Sequence, residues 1–428
     1  MARILYTVLD GLGDRPVPAL GNRTPLEAAA VPFLGALTLD GRTGLVQTVG
    51  QGIAPESDVA VMAILGYDPF KYHTGRGVFE VVGSGMRFAD GDLALRGNFA
   101  TGGEGRTIVD RRAGRNLTTE EAHALADAVT REVRLSAAPA DLEVRGSVAH
   151  RAAVVIRRRD GGRLSAKISN TDPAYARVQG LGVAREHAGN EVEVCEPLDQ
   201  SEEAKVAAAL VNELTEQARR ILDAHPVNAR RRADGKPPAN LILVRDAGDH
   251  APQLLPIAER FGVRFGCFVE MPVERGIAQL TGMQVIPVPP SGDDKERVYR
   301  EWAQTAAREY KNFDGLYMHL KGPDEPGHDG LAEAKRAVIE LIDRAFFGML
   351  LEQVPLDDVV IAVTADHATP CTLGRHSDDP VPLLVAGAGI EPDGTRVFNE
   401  KACAKGALGM LKGTDLMPLF VRLARGGA

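Results

Sequence analysis

Short apolar runs rich in β-branched residues recur along the chain, and most end in a loop carrying Asp, Gly or His. Ile4 to Leu9 runs into Asp10-Gly11-Leu12-Gly13-Asp14, and the run 239–245 into Asp246-Ala247-Gly248. Gly315 to His319 and Asp358 to Thr364 repeat the form, and Pro382 to Ala386 is a further short run. Each reads as a buried strand, and in open α/β sheets ligands sit at the C-terminal strand edge. Between the runs, Lys205 to Asp223, Asp294 to Glu309 and Gly330 to Glu352 place apolar residues at helical spacing. Strand–helix alternation of this kind predicts a mainly parallel sheet flanked by helices.

From about Val82 to Gly180 the pattern changes. Turn pairs recur (Asp90-Gly91, Gly102-Gly103, Asp160-Gly161-Gly162), and 152–157 reads as a half-buried strand. One helix is expected near Thr119 to Val133, capped by Thr118 or Thr119 with Glu121 just inside. The expected fold is therefore α/β, with residues 1–81 and 181–428 forming a discontinuous catalytic domain. Residues 82–180 are expected as an inserted, smaller α+β domain that binds substrate or acts as a lid. The polar stretch Asn228 to Pro238 is expected as a surface loop.

Composition narrows the class. The 428 residues are 44% hydrophobic and 25% charged, as in a folded globular protein. Acidic residues outnumber basic ones, 58 to 50, for a formal charge of −8, which argues against a nucleic-acid-binding surface. The four cysteines, Cys195, Cys267, Cys371 and Cys403, are far apart, so a reducing cytoplasm is expected instead of a disulfide framework. No apolar stretch reaches membrane-spanning length, and the N-terminus reads as a strand instead of a signal peptide.

The chemistry concentrates in Asp324-Glu-Pro-Gly-His328, Thr364-Ala-Asp366-His367-Ala-Thr-Pro and Gly374-Arg-His376-Ser. The first two follow predicted strands and so reach the same sheet edge as Asp10. Carboxylates and neutral imidazoles hold divalent cations in mixed N/O sites. A single such histidine is more simply a hydrogen-bonded loop residue; three clusters together favour metal. Ser57, in Pro55-Glu-Ser-Asp, begins a helix expected to run through Leu65. Alone it reads, like Glu56 beside it, as an N-cap. Beside cations it reads as a nucleophile.

Taken together, Asp10-Gly, Pro-Glu-Ser57, Asp324-x-x-x-His328, Asp366-His367 and His376 resemble the alkaline-phosphatase superfamily. The wording is similar to the archaeal-type branch of the cofactor-independent phosphoglycerate mutases. Leu65-Gly-Tyr-Asp-Pro-Phe, Gly75-Arg-Gly-Val-Phe-Glu, Leu95-Arg-Gly-Asn-Phe-Ala-Thr, Asp110-Arg-Arg-Ala-Gly-Arg and Asn170-Thr-Asp-Pro extend that likeness over nearly the whole chain. The resemblance implies an alkaline-phosphatase-like fold and two divalent ions, one held by Asp10, Ser57, Asp366 and His367, the other by Asp324, His328 and His376. Mn²⁺ is the first choice, with Zn²⁺, Co²⁺ and Mg²⁺ open. It also implies interconversion of 3- and 2-phosphoglycerate through phosphoserine at Ser57, without 2,3-bisphosphoglycerate.

Lys321 and Arg245 are the expected phosphate contacts, with Lys321 reaching the site only if its loop bends. Arg111, Arg112, Arg115, Arg151 and Asp172 are candidates for the substrate carboxylate and hydroxyls, with a solvated basic turn as the plain alternative for the first three. Two departures stand out. Arg275, itself a candidate substrate contact, replaces the family's usual Lys, and Asn170-Thr-Asp-Pro-Ala, also in a candidate substrate contact, replaces Asp-Thr-Asp-Pro-His. A related phosphotransferase or phosphatase acting on another small acid, or a non-enzymatic metal-binding protein, are the competing readings. The expected partner is a small molecule, with no nucleic acid or membrane; oligomeric state is not read from the sequence.

Overall fold

The computed structural model describes residues 1–178, 181–185, 188–292 and 294–427. The chain falls into two compact units. One comprises Met1–Lys71, Leu254–Glu270 and Ile277–Ala428; the other comprises Tyr72–Gln253 and Met271–Gly276.

The first unit is built on an eight-stranded sheet. Its strands run, edge to edge, Gln284–Val285, Phe265–Phe268, Gly315–Leu320, Arg3–Leu9, Val359–Thr364, Val381–Gly387, Gly41–Gln47 and Gly409–Lys412. All neighbours pair parallel except around Val381–Gly387, which is antiparallel to both of its neighbours. The central strands Gly315–Leu320 and Val359–Thr364 are buried at every position, as a sheet covered on both faces requires. The expected helix over 330–352 is broken by a π-turn, Asp343–Phe347, between Ala332–Ile342 and Gly348–Gln353. Asp343 accepts the backbone N–H groups of Phe33 and Leu34 there, at 3.1 and 2.7 Å.

The second unit carries an antiparallel five-stranded sheet of Ile108–Asp110, Leu93–Gly102, Arg151–Arg158, Ala140–Gly146 and Leu241–Gly248. The helix Thr119–Glu132 starts with the expected capping box between Thr118 and Glu121. This unit is larger than the pattern of 82–180 implied. Leu241–Gly248, expected in the parallel sheet, pairs antiparallel with Leu93–Gly102. The helix Glu202–Ala224 sends Leu210, Val211 and Leu214 into the same core as Leu95, Phe99 and Val154. At the other end, Val78 and Val81 of the helix Arg76–Gly83 pack on Ala94, Ala153 and Val155. The expected border at residue 180 itself lies outside the described residues. A strand buried on both faces has the same apolar signature in either sheet, so its pattern does not say which one it joins.

The stretch expected as a loop at Asn228 to Pro238 begins as helix Pro226–Ala233, with proline in its first turn. Asn228 is buried and bonds Leu222 O and Ala239 O and N, while Arg231 holds Ala113 O, Asn116 and Glu121. All four cysteines are buried and free. Among the described residues, no helix is long and apolar enough to cross a membrane.

Candidate active site

Parallel pairing delivers the loops that carry the candidate ligands to one edge of the first sheet. Val8 lies opposite both His319 and Thr364, so Asp10, Lys321 and Asp366 all follow at the C-terminal edge. There is no room for side chains where these loops meet. A Cβ on Gly11, whose φ is +64°, would lie 2.7 Å from the Thr369 hydroxyl and 2.8 Å from Asp324. One on Gly327 would lie 2.5 Å from Thr369 O. These glycines let the backbones approach closely.

Two groups of potential ligands result: Asp10, Asp366 and His367, all buried, and Asp324, His328 and His376, all half-buried. Within each group the ligand atoms lie within 4.8 Å of one another. His367 Nε2 is 3.2 Å from Asp366 Oδ2 and 3.5 Å from Asp10 Oδ1. His376 Nε2 and His328 Nε2 are each 3.5 Å from an Asp324 oxygen. Asp10 Oδ1 and Asp366 Oδ2 are buried with no hydrogen-bond partner. Two buried carboxylate oxygens aimed at a shared point are costly unless a cation fills it.

The outer contacts orient the imidazoles. His376 Nδ1 donates to Pro55 O at 2.8 Å and His328 Nδ1 to Gly374 O at 3.1 Å, which leaves each Nε2 facing the site. Ligating histidines are characteristically held this way. Burial and nearby His376 bring the His367 imidazole down to about 3, so it is neutral, the form that ligates. Burial and the Asp10 carboxylate push Asp366 up to about 7. Burial also opposes charge on Asp10, but Lys321 and His319 hold it well below the usual carboxylate range. Burial opposes charge on His376 as well, yet its contact with Asp324 and the nearness of Glu56 raise it to about 10. The donor set and its geometry fit two divalent ions.

Ser57 is the first residue of the helix Ser57–Ile64; Glu56 is its N-cap, and no side chain caps it. The cap reading of Ser57 therefore fails. Its hydroxyl lies 3.5 Å from His367 Nε2, on the ligand side of that ring. Lys321 does turn inward: the chain bends at Gly322, and the Lys321 ammonium donates to Asp10 Oδ2 at 2.7 Å.

The second unit has a different concentration of charge. Arg96 stands opposite Arg245 and Asn98 opposite Arg151, so alternation puts all four on one face of the antiparallel sheet. The helix Arg76–Gly83 adds Arg76, whose Nε donates to Glu80 at 3.1 Å; Arg96 lies 3.7 Å from the same carboxylate oxygen. Asp172, fully buried, receives a forked contact from Arg111 and a bond from Arg245 at 3.1 Å. The Arg245 guanidinium lies over the Tyr175 ring at 3.8 Å.

Burial, then Arg245 and Arg76, bring Arg96 down to about 9; burial, then Arg151 and Arg112, bring His150 down to about 3. The local field is strongly positive and favours an anion. Arg112 is half-buried near the patch, and burial and Arg115 lower its pKa. Arg115 is exposed, in a turn where Asp110 accepts the N–H groups of Arg112 and Gly114. Arg275 lies exposed on the helix Pro272–Leu280. Asn170 is buried: its amide nitrogen donates to Tyr175 O and its oxygen accepts the Asp246 N–H.

The family model described as 2,3-bisphosphoglycerate-independent phosphoglycerate mutase matches residues 39–228. A protein of that name from Aeropyrum pernix is 42% identical over 99% of this chain and 100% of its own length. The chain belongs to this mutase family. Among solved structures, a protein of Pyrococcus horikoshii is similar with a TM-score of 0.79 and 31% identity, covering 100% of this chain and 98% of its own. The cofactor-independent phosphoglycerate mutase of Thermoplasma acidophilum gives a TM-score of 0.63 and 35% identity, covering 99% and 100%.

Several residues of these two regions escape sequence reasoning. His319 is fully buried, with Nε2 3.7 Å from Asp366 and 3.9 Å from Asp10 and Nδ1 3.0 Å from the Tyr317 hydroxyl. Its signal was its place two residues before Lys321. Thr369 and Lys335, which tie the loops together, carried none beyond their polarity. Arg96 was legible as a charged residue alternating with Leu95 and Gly97 in a strand.

Proposed function

We propose that this chain interconverts 3-phosphoglycerate and 2-phosphoglycerate through a phosphoryl group carried on Ser57, without 2,3-bisphosphoglycerate. The observation that carries this reading is the pair of orphaned buried oxygens, Asp10 Oδ1 and Asp366 Oδ2, beside the His367 Nε2 that Ser57 faces. Asp10, Ser57, Asp366 and His367 would hold one divalent ion and Asp324, His328 and His376 the other. When bound, such ions favour an ionised serine oxygen and neutralise phosphate charge; Mn²⁺ is the first choice because Asp and His ligands tolerate it, with Zn²⁺, Co²⁺ and Mg²⁺ as alternatives.

The chain's own residues do the rest. Ser57 Oγ forms the new bond to phosphorus as the bond to glycerate O3 breaks, with one proton lost from Ser57 and one gained by O3. The glycerate then presents O2, and the same exchange runs in reverse. The Lys321 ammonium adds positive charge for the phosphate oxygens. Arg245 adds a forked donor for the phosphate, Arg151 with Arg111 and Arg112 suits the carboxylate, and Asp172 fixes the guanidiniums of Arg111 and Arg245. The second unit is then the substrate-binding domain.

The test is an enolase-coupled assay of Mn²⁺-loaded protein with 3-phosphoglycerate free of bisphosphoglycerate. Formation of 2-phosphoglycerate, abolished in Ser57→Ala, is the expected result. Release of free phosphate without isomerisation would instead establish a phosphatase.

A further inference from the structure

We infer that Thr369 is a positioning residue that couples the two candidate cation sites, so that each site's affinity depends on its hydroxyl. The inference rests on the two-cation reading above.

Thr369 is fully buried, and its hydroxyl lies between ligands of both sites. It donates to Asp324 Oδ1 at 2.7 Å and lies 3.1 Å from His367 Nδ1. An ionised carboxylate only accepts, so the single hydroxyl proton goes to Asp324. His367 Nδ1 must then carry the hydrogen that Thr369 Oγ1 accepts. That choice of tautomer leaves the lone pair on Nε2, the atom facing Asp366, Asp10 and Ser57. The chain His367–Thr369–Asp324 thus ties the ligating form of a histidine in one group to the ionised state of a carboxylate in the other.

The hydroxyl has no freedom to choose otherwise, because the Thr369 backbone is clamped. Its N–H donates to Gly13 O at 3.0 Å, and its carbonyl accepts from the Lys335 ammonium at 2.9 Å. Lys335, fully buried on the helix Ala332–Ile342, spends its other two protons on Gly13 O at 3.1 Å and Asp14 Oδ2 at 2.9 Å. Three donors meet three acceptors drawn from the Asp10 and Asp366 loops. Thr369 is therefore held at the height where its hydroxyl meets both ligands.

The test titrates Mn²⁺ into metal-stripped wild type, Thr369→Val and Thr369→Ser by calorimetry, with melting of the stripped proteins followed in parallel. Valine keeps the shape and removes the hydroxyl; serine keeps the hydroxyl. Both sites should weaken in Thr369→Val by roughly ten- to a hundredfold, the usual cost of losing a contact that orients a metal ligand, and Thr369→Ser should bind like wild type. The stripped proteins should melt together within a few degrees. Thr369→Ala, with room for a water, replaces the valine variant if that does not fold.

Wild-type affinities in Thr369→Val, weakening confined to one site, or a serine variant as weak as valine would overturn the coupling. Wild type that binds fewer than two ions would sink the two-cation reading, and the coupling with it.

Discussion

The two units concentrate opposite chemistry. At the edge of the parallel sheet, buried carboxylates outnumber their cations, and the unsatisfied atoms are oxygens, Asp10 Oδ1 and Asp366 Oδ2. On the face of the antiparallel sheet, Arg76, Arg96, Arg151 and Arg245 crowd around Glu80 and Asp172, and His150 is kept neutral. The first region is preorganised for cations and the second for an anion. A phosphoryl transfer on a carboxylic acid needs both kinds of complementarity. The contrast makes separable predictions.

The largest effect is expected at the cation side. Asp366→Ala should lose at least one of two bound Mn²⁺, read by metal analysis, and mutase activity should fall by about a thousandfold or more. Next, Lys335→Met should destabilise the fold by ~3–5 kcal/mol in urea melts, because it strands the buried Asp14 carboxylate.

At the anion side, Arg245→Lys keeps the charge but loses the fork. The Michaelis constant for 3-phosphoglycerate should rise about tenfold, with Mn²⁺ stoichiometry unchanged. A change in metal content there would erase the distinction between the regions.

The smallest effect concerns Glu400, which accepts from Asp14 N and lies 2.7 Å from the Thr24 hydroxyl. Burial pushes its carboxyl up to about 7 from an ordinary 4.5. A raised acid contributes its full stability below the unfolded value and loses it as pH rises through the folded one. Glu400→Gln should therefore raise the melting temperature over wild type by a few degrees at pH 8 and lose that advantage near pH 4.5.

Much of the cation side was legible in the sequence because its candidate ligands are chemically distinctive residues directly after apolar runs: Asp10, Asp366 and His367 follow strands that the pattern predicts. Ser57 illustrates the limit. Its helix start was visible, with Ser57 or Glu56 as the candidate cap, and the structure puts Glu56 at that position without a side-chain cap bond. The anion side was legible as arginine types and not as a patch, since it depends on Leu241–Gly248 joining the antiparallel sheet. That pairing is a long-range choice that an all-buried strand does not encode locally. Asn228 and Arg231 looked like loop residues because their polarity is spent on backbone groups more than in water. Thr369 and Lys335 were silent because a threonine and a helical lysine acquire meaning only from what surrounds them.

The central claim is that Ser57 carries the phosphoryl group during turnover. Mn²⁺-loaded protein mixed with 3-phosphoglycerate, quenched in acid and digested, can be read by mass spectrometry. A single phosphoryl group on Ser57, appearing within one turnover and absent in the metal-stripped protein, is the predicted result. Rapid formation of 2-phosphoglycerate with Ser57 unmodified, or with the phosphoryl group on another residue, would contradict it.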